Sequence, residues 1–229
     1  MKILALDTAT EACSVALGIE GRVIERYVEL ERGHAERLLP MIDEVLVEGG
    51  ITLGALDAIA FGRGPGGFTG VRLAASVAQG LAFGAGLGVV PVSDLAAVAQ
   101  RAAELHRDAR RALVINDARM REVYWAEFAI DGSAVGLRGA EQVTVPAAVI
   151  VSPESPGSPW IAAGRGLMAW PELAERCRTA GAIVLEDLLP HAREILSLAI
   201  PTVAAGQALP PELALPIYVR DRVVQGATS

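Results

Sequence analysis

The chain sets out the same local plan twice. Ile3 to Leu6 is an apolar run that ends in Asp7, and a polar turn, a second apolar run around Cys13 to Gly18 and a tight turn at Glu20-Gly21 follow it. The stretch "ALVINDARMREVYWAEFAIDG" does this again, with Asp117 closing its first apolar run and Asp131-Gly132 as its tight turn. Asp7 stands 14 residues before Gly21, and Asp117 stands 15 before Gly132. Short apolar runs joined by such turns pair as antiparallel hairpins. Two copies in 229 residues predict a duplicated α/β domain, each half a mixed sheet with helices.

Composition narrows the function classes. Apolar residues make up 52% and charged residues 21%, which is a well-buried globular chain. Aromatic residues are only 4%, so platforms for stacking nucleic-acid bases are few. The net charge of −7 gains little from phosphate neutralisation, the main sequence-independent source of nucleic-acid affinity. Cys13 and Cys177 make neither a disulfide framework nor a metal site. The apolar run at Ile3 to Leu6 is shorter than the roughly 7–15 residues of a signal-peptide core. Leu73 to Ser93 carries no formal charge, but Ser76, Gln79, glycines and Pro91 dilute it to a buried helix plus strand. A cytoplasmic protein with no membrane segment is the expectation.

Along the chain, Arg22 to Leu30 reads as a third strand. "HAERLLPMIDEVLVEGG" then places Leu38, Leu39, Ile42, Val45 and Leu46 at helical spacing, with Gly49 as a stop. Pro40 is expected to kink this helix or to mark its start. A strand over Leu56 to Phe61, a helix over Val71 to Phe83, a strand over Val89 to Val92 and a helix from about Leu95 to His106 follow. In the second half "VSPESPGSPW" reads as a loop, "PWIAAG" as a strand and "LPHAREILSLAI" as a short helix. "LPPELALPIYVRDRVVQGATS" reads as an irregular, mobile tail. The expected division is an N-terminal lobe over 1–108, a C-terminal lobe over 109–206 and a tail over 207–229 that packs back on the first lobe.

"FGRGPGGFTGVR" contains Gly62, Gly64 and Gly67 in the dinucleotide pattern G-x-G-x-x-G, between a strand and a helix. Three features oppose that reading. Pro65 removes a backbone donor from the loop. The motif follows an internal strand, and the hairpins around Asp7 and Asp117 are antiparallel. The structural alternative is that the glycines permit a sharp turn and a close helix approach. Ala74, Ala75, Ala78, Ala82 and Ala85 give that helix a face of low relief, and Thr69 is placed to cap its start.

Four stretches, "ILALDTAT" with "CSVAL", "GHAERLLPMIDEVL", "GPGGFTGVRLA" with "QGLA", and "DARMREVYWAEF", together resemble the bacterial TsaB (YeaZ) family. The likeness runs in order from Ile3 to about Phe128 and thins to scattered matches such as "PIYVR" at Pro216 to Arg220. Gly67 departs from the family, which more often has serine there. The resemblance implies duplicated actin/hexokinase/Hsp70-like (ribonuclease H-like) lobes. It also implies a subunit of the machinery that makes threonylcarbamoyladenosine beside the anticodon of tRNAs reading codons that begin with A. In that machinery the paralogue TsaD is catalytic, the ATPase TsaE completes the assembly, and TsaC makes the threonylcarbamoyl-adenylate. TsaB-like proteins pair with TsaD through first-lobe helices and have no catalytic centre. The implied partners are thus a TsaD-like subunit and a TsaE-like ATPase, with tRNA reached through the complex rather than directly, no cofactor, and a homodimer when the chain is alone.

TsaD carries a histidine pair at i, i+4 after the strand that follows the glycine-loop helix. Here the corresponding "VPVSDLAAV" puts Asp94 and Val98 at those places, and valine ligates nothing. His34, His106 and His191 are the chain's three histidines, no two of them close in sequence. No metal site and no catalytic residue is therefore expected. A glycoprotease-like enzyme or a kinase of the same fold remains the alternative, without a triad, a metal pair or a second phosphate loop to support it.

Asp7, Thr8 and Thr10 lie where this fold commonly meets a phosphate, and they are the candidates for weak nucleotide binding; good turn residues are the other explanation. His34, Leu38, Leu39, Ile42 and Leu46, with Val71, Arg72, Ala75, Ala78, Leu81 and Ala82, are the partner-interface candidates. Each is divided evenly between core and interface. Arg119 and Arg121 with Tyr124 read as a solvated turn and a sheet residue, and Ser14 as inert in a buried strand.

Overall fold

The computed structural model describes residues 1–132, 134–152 and 158–220. The first half runs β1 (Lys2–Asp7), β2 (Ala12–Ile19), β3 (Arg22–Glu29), α1 (His34–Gly49), β4 (Ala58–Gly62), α2 (Phe68–Ala85), β5 (Gly88–Val92) and α3 (Asp94–Leu105). The second runs β6 (Arg111–Asp117), β7 (Val123–Asp131), β8 (Ala134–Thr144), β9 (Trp160–Ala163), α4 (Gly166–Ala169), α5 (Pro171–Thr179), β10 (Ile183–Leu185) and α6 (Ala192–Ala204).

The duplication is complete at the level of topology. One sheet has the order β3-β2-β1-β4-β5 and the other β10-β9-β6-β7-β8. In each, three strands form an antiparallel meander and two further strands add in parallel. Two lobes of like topology result, as the sequence reading expects. Between Lys2 and Asp7 the central strand β1 is apolar, and β4 beside it is apolar too, as strands covered on both faces must be.

The halves trade helices. α3 lays Leu95, Val98, Ala99 and Ala102 onto the second sheet, against Val114, Ala126, Phe128 and Ile161. α6 lays Ile195, Leu196 and Ala199 onto the first sheet, against Ile3, Ala5, Ala16 and Ala60. α1 and α2 cover the other face of the first sheet. Ser14, expected to be inert, joins the halves: its Oγ accepts the Ala192 N–H at 2.9 Å and serves the start of α6.

Several local expectations are revised. Pro40 sits inside a continuous α1 that begins at His34, so it does not mark the start. The stop falls one residue after Gly49, where Gly50 (φ 65°) returns its N–H to Leu46 and Val47. Thr69 is already inside α2, whose N-cap is Gly67 with no side-chain cap. The tail is tied down as far as Arg220. Leu209 exchanges two 2.8 Å backbone hydrogen bonds with Val89, Ala214 is buried, and the Ile217 N–H donates to the Arg63 carbonyl at 2.8 Å. The remainder of that tail, 221–229, and residues 153–157 of the expected proline–serine loop lie outside the described residues. Among the described residues, no helix is long and apolar enough to cross a membrane.

Candidate functional site

At the end of β1, Asp7 accepts the Ala9 N–H at 2.9 Å and faces Asp94, the first residue of α3. Both carboxyls are closed from solvent and converge over Gly62, where an added Cβ would lie 2.4 Å from an oxygen of each. Asp94 also accepts the Gly64 N–H at 2.5 Å. Burial raises both acids above the usual carboxylate range, and Asp94 further because it also faces the Asp7 charge.

The glycine loop lies directly on the turn after Asp7. The Gly67 N–H donates to the Ala9 carbonyl at 2.7 Å, and Thr8 Oγ1 donates to the Gly70 carbonyl at 2.7 Å. A Cβ on Gly70 would come within 1.9 Å of the Thr8 carbonyl oxygen, and one on Gly66 within 2.5 Å of that of Ala9. Close backbone approach accounts for these glycines. The amides of Gly64 and Gly67 in the dinucleotide pattern are already used within the chain. Asp7 and Thr8 are buried, and Thr10 Oγ1 accepts the Ala12 N–H, so the candidates for nucleotide binding serve the turn.

A cleft of about 1050 Å³ opens between the lobes, lined by this turn, the glycine loop, the start of α1 and the β6–β7 turn. Arg119 crosses it to Glu11 at 2.7 Å and Arg165 to Glu29 at 2.7 Å. The β6–β7 turn has no glycine. Instead Arg119, Met120 and Arg121 all take left-handed backbone conformations, at φ 59°, 52° and 64°. Tyr124, half-buried beside them, has its hydroxyl pushed up by burial. Nearer the sheets, Arg63 in the glycine loop makes a two-pronged ion pair with Glu141 of β8, at 3.1 and 3.2 Å.

The interface candidates separate by helix side. Leu38, Ile42, Leu46, Val71, Ala75, Ala78 and Ala82 are buried in the chain's own core, the core side of the even division expected for them. Leu39 is 50% exposed and Arg72 is exposed, while Leu81 and His34 are half-buried. His34 Nε2 lies 3.0 Å from the Thr10 carbonyl, tying the start of α1 to the first turn. Val47 of α1 and Phe83 of α2, 80% and 79% exposed, were not singled out from the sequence. Their signal was available: both are large apolar residues off the 3.6-residue core stripe.

The histidines stay apart. His191 stacks on Tyr27 with ring centroids 4.0 Å apart and meets Glu25 at 3.2 Å. Val98 is buried in the second core. Among the described residues, no three His, Cys, Asp or Glu side chains gather where they could hold a metal. Burial pushes the Cys13 and Cys177 thiols up to about 11, which leaves them unreactive as nucleophiles at neutral pH.

The model of the family described as TsaD, tRNA N6-adenosine threonylcarbamoyltransferase, matches residues 28–178. The tRNA threonylcarbamoyladenosine biosynthesis protein TsaB of Escherichia coli is 41% identical over 227 residues, 97% of this chain and 96% of its own. The TsaB of Haemophilus influenzae is 40% identical, over 97% and 95%. The solved structure of YeaZ from Pseudomonas aeruginosa is 47% identical, with a TM-score of 0.85 over 95% of this chain and 99% of that one. A second structure from that organism, described as similar to the peptidase YeaZ, gives 0.87 at the same identity over 96% and 99%. With this likeness running along nearly its whole length, the chain belongs to the TsaB (YeaZ) family.

Proposed function

We propose that the chain is a non-catalytic subunit of the complex that synthesises threonylcarbamoyladenosine in tRNA, and that it binds and activates a TsaD-like catalytic subunit. The observation that carries this reading is the outward side of α1 and α2. Leu39, Val47 and Phe83 stand exposed on two helices that cover one face of the first sheet, and exposed apolar clusters mark protein contacts. α2 adds Ser76, Gly80 and Gly84 on its exposed side, where small residues admit a close helix partner. Helix packing of this kind holds the catalytic partner in a competent arrangement. We read the chain as a first lobe over 1–108, a second over 109–206 and a tail from 207. A TsaE-like ATPase joins the assembly, tRNA is held by the complex as a whole, and the free chain pairs with itself in the cytoplasm through the same bare surface.

The test is a tRNA modification assay with the matching TsaC, TsaD and TsaE, with and without this chain. A Leu39→Glu/Val47→Glu variant, aimed at exposed positions, keeps its fold and loses both TsaD pairing and activity. Full activity without the chain, or in a variant that no longer pairs, would refute the proposal.

A further inference from the structure

Arg72 lies on the exposed side of α2 with its guanidinium 3.3 Å from the centroid of the Phe68 ring, one helical turn earlier. The ring of Tyr218, from the C-terminal strap, has its centroid 5.2 Å away, and the two rings are 6.2 Å apart. The planar cation is thus held by aromatic groups from two distant parts of the chain. Three other arginines at this end of the molecule have carboxylates: Arg63 has Glu141, Arg119 has Glu11, and Arg220 has Glu122. Among the described residues Arg72 has no carboxylate and no hydrogen-bond acceptor, so its fork of N–H donors is unused.

Around it the surface is apolar. Phe68, Ile217 and Tyr218 are about half exposed, and Leu215 more so. An arginine already fixed by ring stacking loses little further freedom on binding, and a collar of apolar groups excludes water from the ion pair it forms. One guanidinium in a chain of net charge −7 is a poor footing for a polyanion but a good one for a single side-chain carboxylate.

We propose that Arg72, stacked on Phe68 and flanked by Tyr218, is the anchor that takes an Asp or Glu carboxylate of the TsaD-like subunit. The partner surface of this chain then includes the C-terminal strap as well as the helices. This rests on the subunit reading above and adds the chemistry of the contact.

Calorimetric titration of the full chain against the TsaD-like subunit, at two salt concentrations, tests it. Arg72→Ala weakens binding by about thirtyfold and flattens its salt dependence. Arg72→Lys keeps the charge but not the planar fork, and weakens binding about tenfold. Tyr218→Ala leaves Arg72 stacked on Phe68 without its flanking ring, and weakens binding by roughly fivefold. Melting curves of the three variants verify that they remain folded. If Arg72→Ala binds within about twofold of wild type while Leu39→Glu loses binding, the subunit reading stands and the anchor is wrong. If the Arg72 variants release tRNA from the complex, or change only self-association, with partner affinity intact, the site belongs to another ligand and the proposal falls. If wild type does not bind the partner, the subunit reading fails and takes the anchor with it.

Discussion

Asp94, at the start of α3, faces Asp7, at the end of β1. The two carboxyls meet over Gly62, fully closed from solvent, and each keeps one oxygen with no other partner in the protein. An acid–carboxylate pair is the arrangement that leaves neither charge facing the other.

That pair sets a pH dependence. The folded state holds the Asp94 proton well above the 3.8 of an ordinary aspartate, so above that value it binds more protons than the unfolded chain. Stability therefore falls as pH rises from about 4 towards the raised value. Asn at position 94 donates to Asp7 without titrating. Asp94→Asn is expected to match wild type near pH 4 and to melt about 2–4 °C higher at pH 8, on the order of 1 kcal/mol for a chain of this size. A melt at pH 8 equal to or below wild type would exclude the shared proton.

Glu194, on the buried side of α6, gives a second such slope. Burial pushes its carboxyl up to about 7, against the attraction of Arg101, with Glu104 and Glu25 adding repulsion. One of its oxygens has no partner. Stability drains as pH rises from about 4.5 through 7. The gap between urea midpoints at pH 5 and pH 8 should be smaller in Glu194→Gln than in wild type.

The Arg63–Glu141 pair joins the glycine loop to β8 across the lobes, with side chains 18% and 7% exposed. Ser93 also bonds to Glu141, so Arg63→Ala leaves a half-buried carboxylate with a hydroxyl alone. A loss of about 2–4 kcal/mol is expected, and a double-mutant cycle with Glu141→Gln should show at least ~1 kcal/mol of coupling. Additive losses would mean the pair contributes nothing beyond its two side chains.

Gly70 and Gly80, both in α2, should respond oppositely to alanine. At Gly70 the new Cβ meets the Thr8 backbone at 1.9 Å, and a shift of the first turn is unavoidable, with a loss of more than ~3 kcal/mol or no folding. At Gly80 nothing lies within 4 Å, and helix propensity gains roughly 0.5–1 kcal/mol. Chemical denaturation of both variants decides it, and equal effects would refute the packing account of the loop.

Much of the fold was legible because it is locally encoded. Hairpin turns at Gly21 and Gly132 and the apolar runs before Asp7 and Asp117 announced the duplication, and the 3.6-residue stripe from Leu38 to Leu46 announced α1. The same stripe left the division between core and surface open. Regular spacing marks the side of a helix that is apolar, and in α1 and α2 that side faces the chain's own sheet. The side chains left exposed, Leu39, Val47, Phe83 and Arg72, interrupt or flank the pattern.

The amino-acid order alone determined the first three strands, the repeated hairpin around Asp117, and the absence of a paired histidine site at Asp94 and Val98. Only the tertiary structure decided that α3 and α6 cross to the opposite sheets, that Ser14 serves a helix 178 residues away, and that Tyr218 comes to rest beside Arg72. Turn chemistry and periodicity act over a few residues and are written in the chain. Which apolar face covers which, and which charge is left without a partner, depend on backbone approaches set by the whole packed molecule.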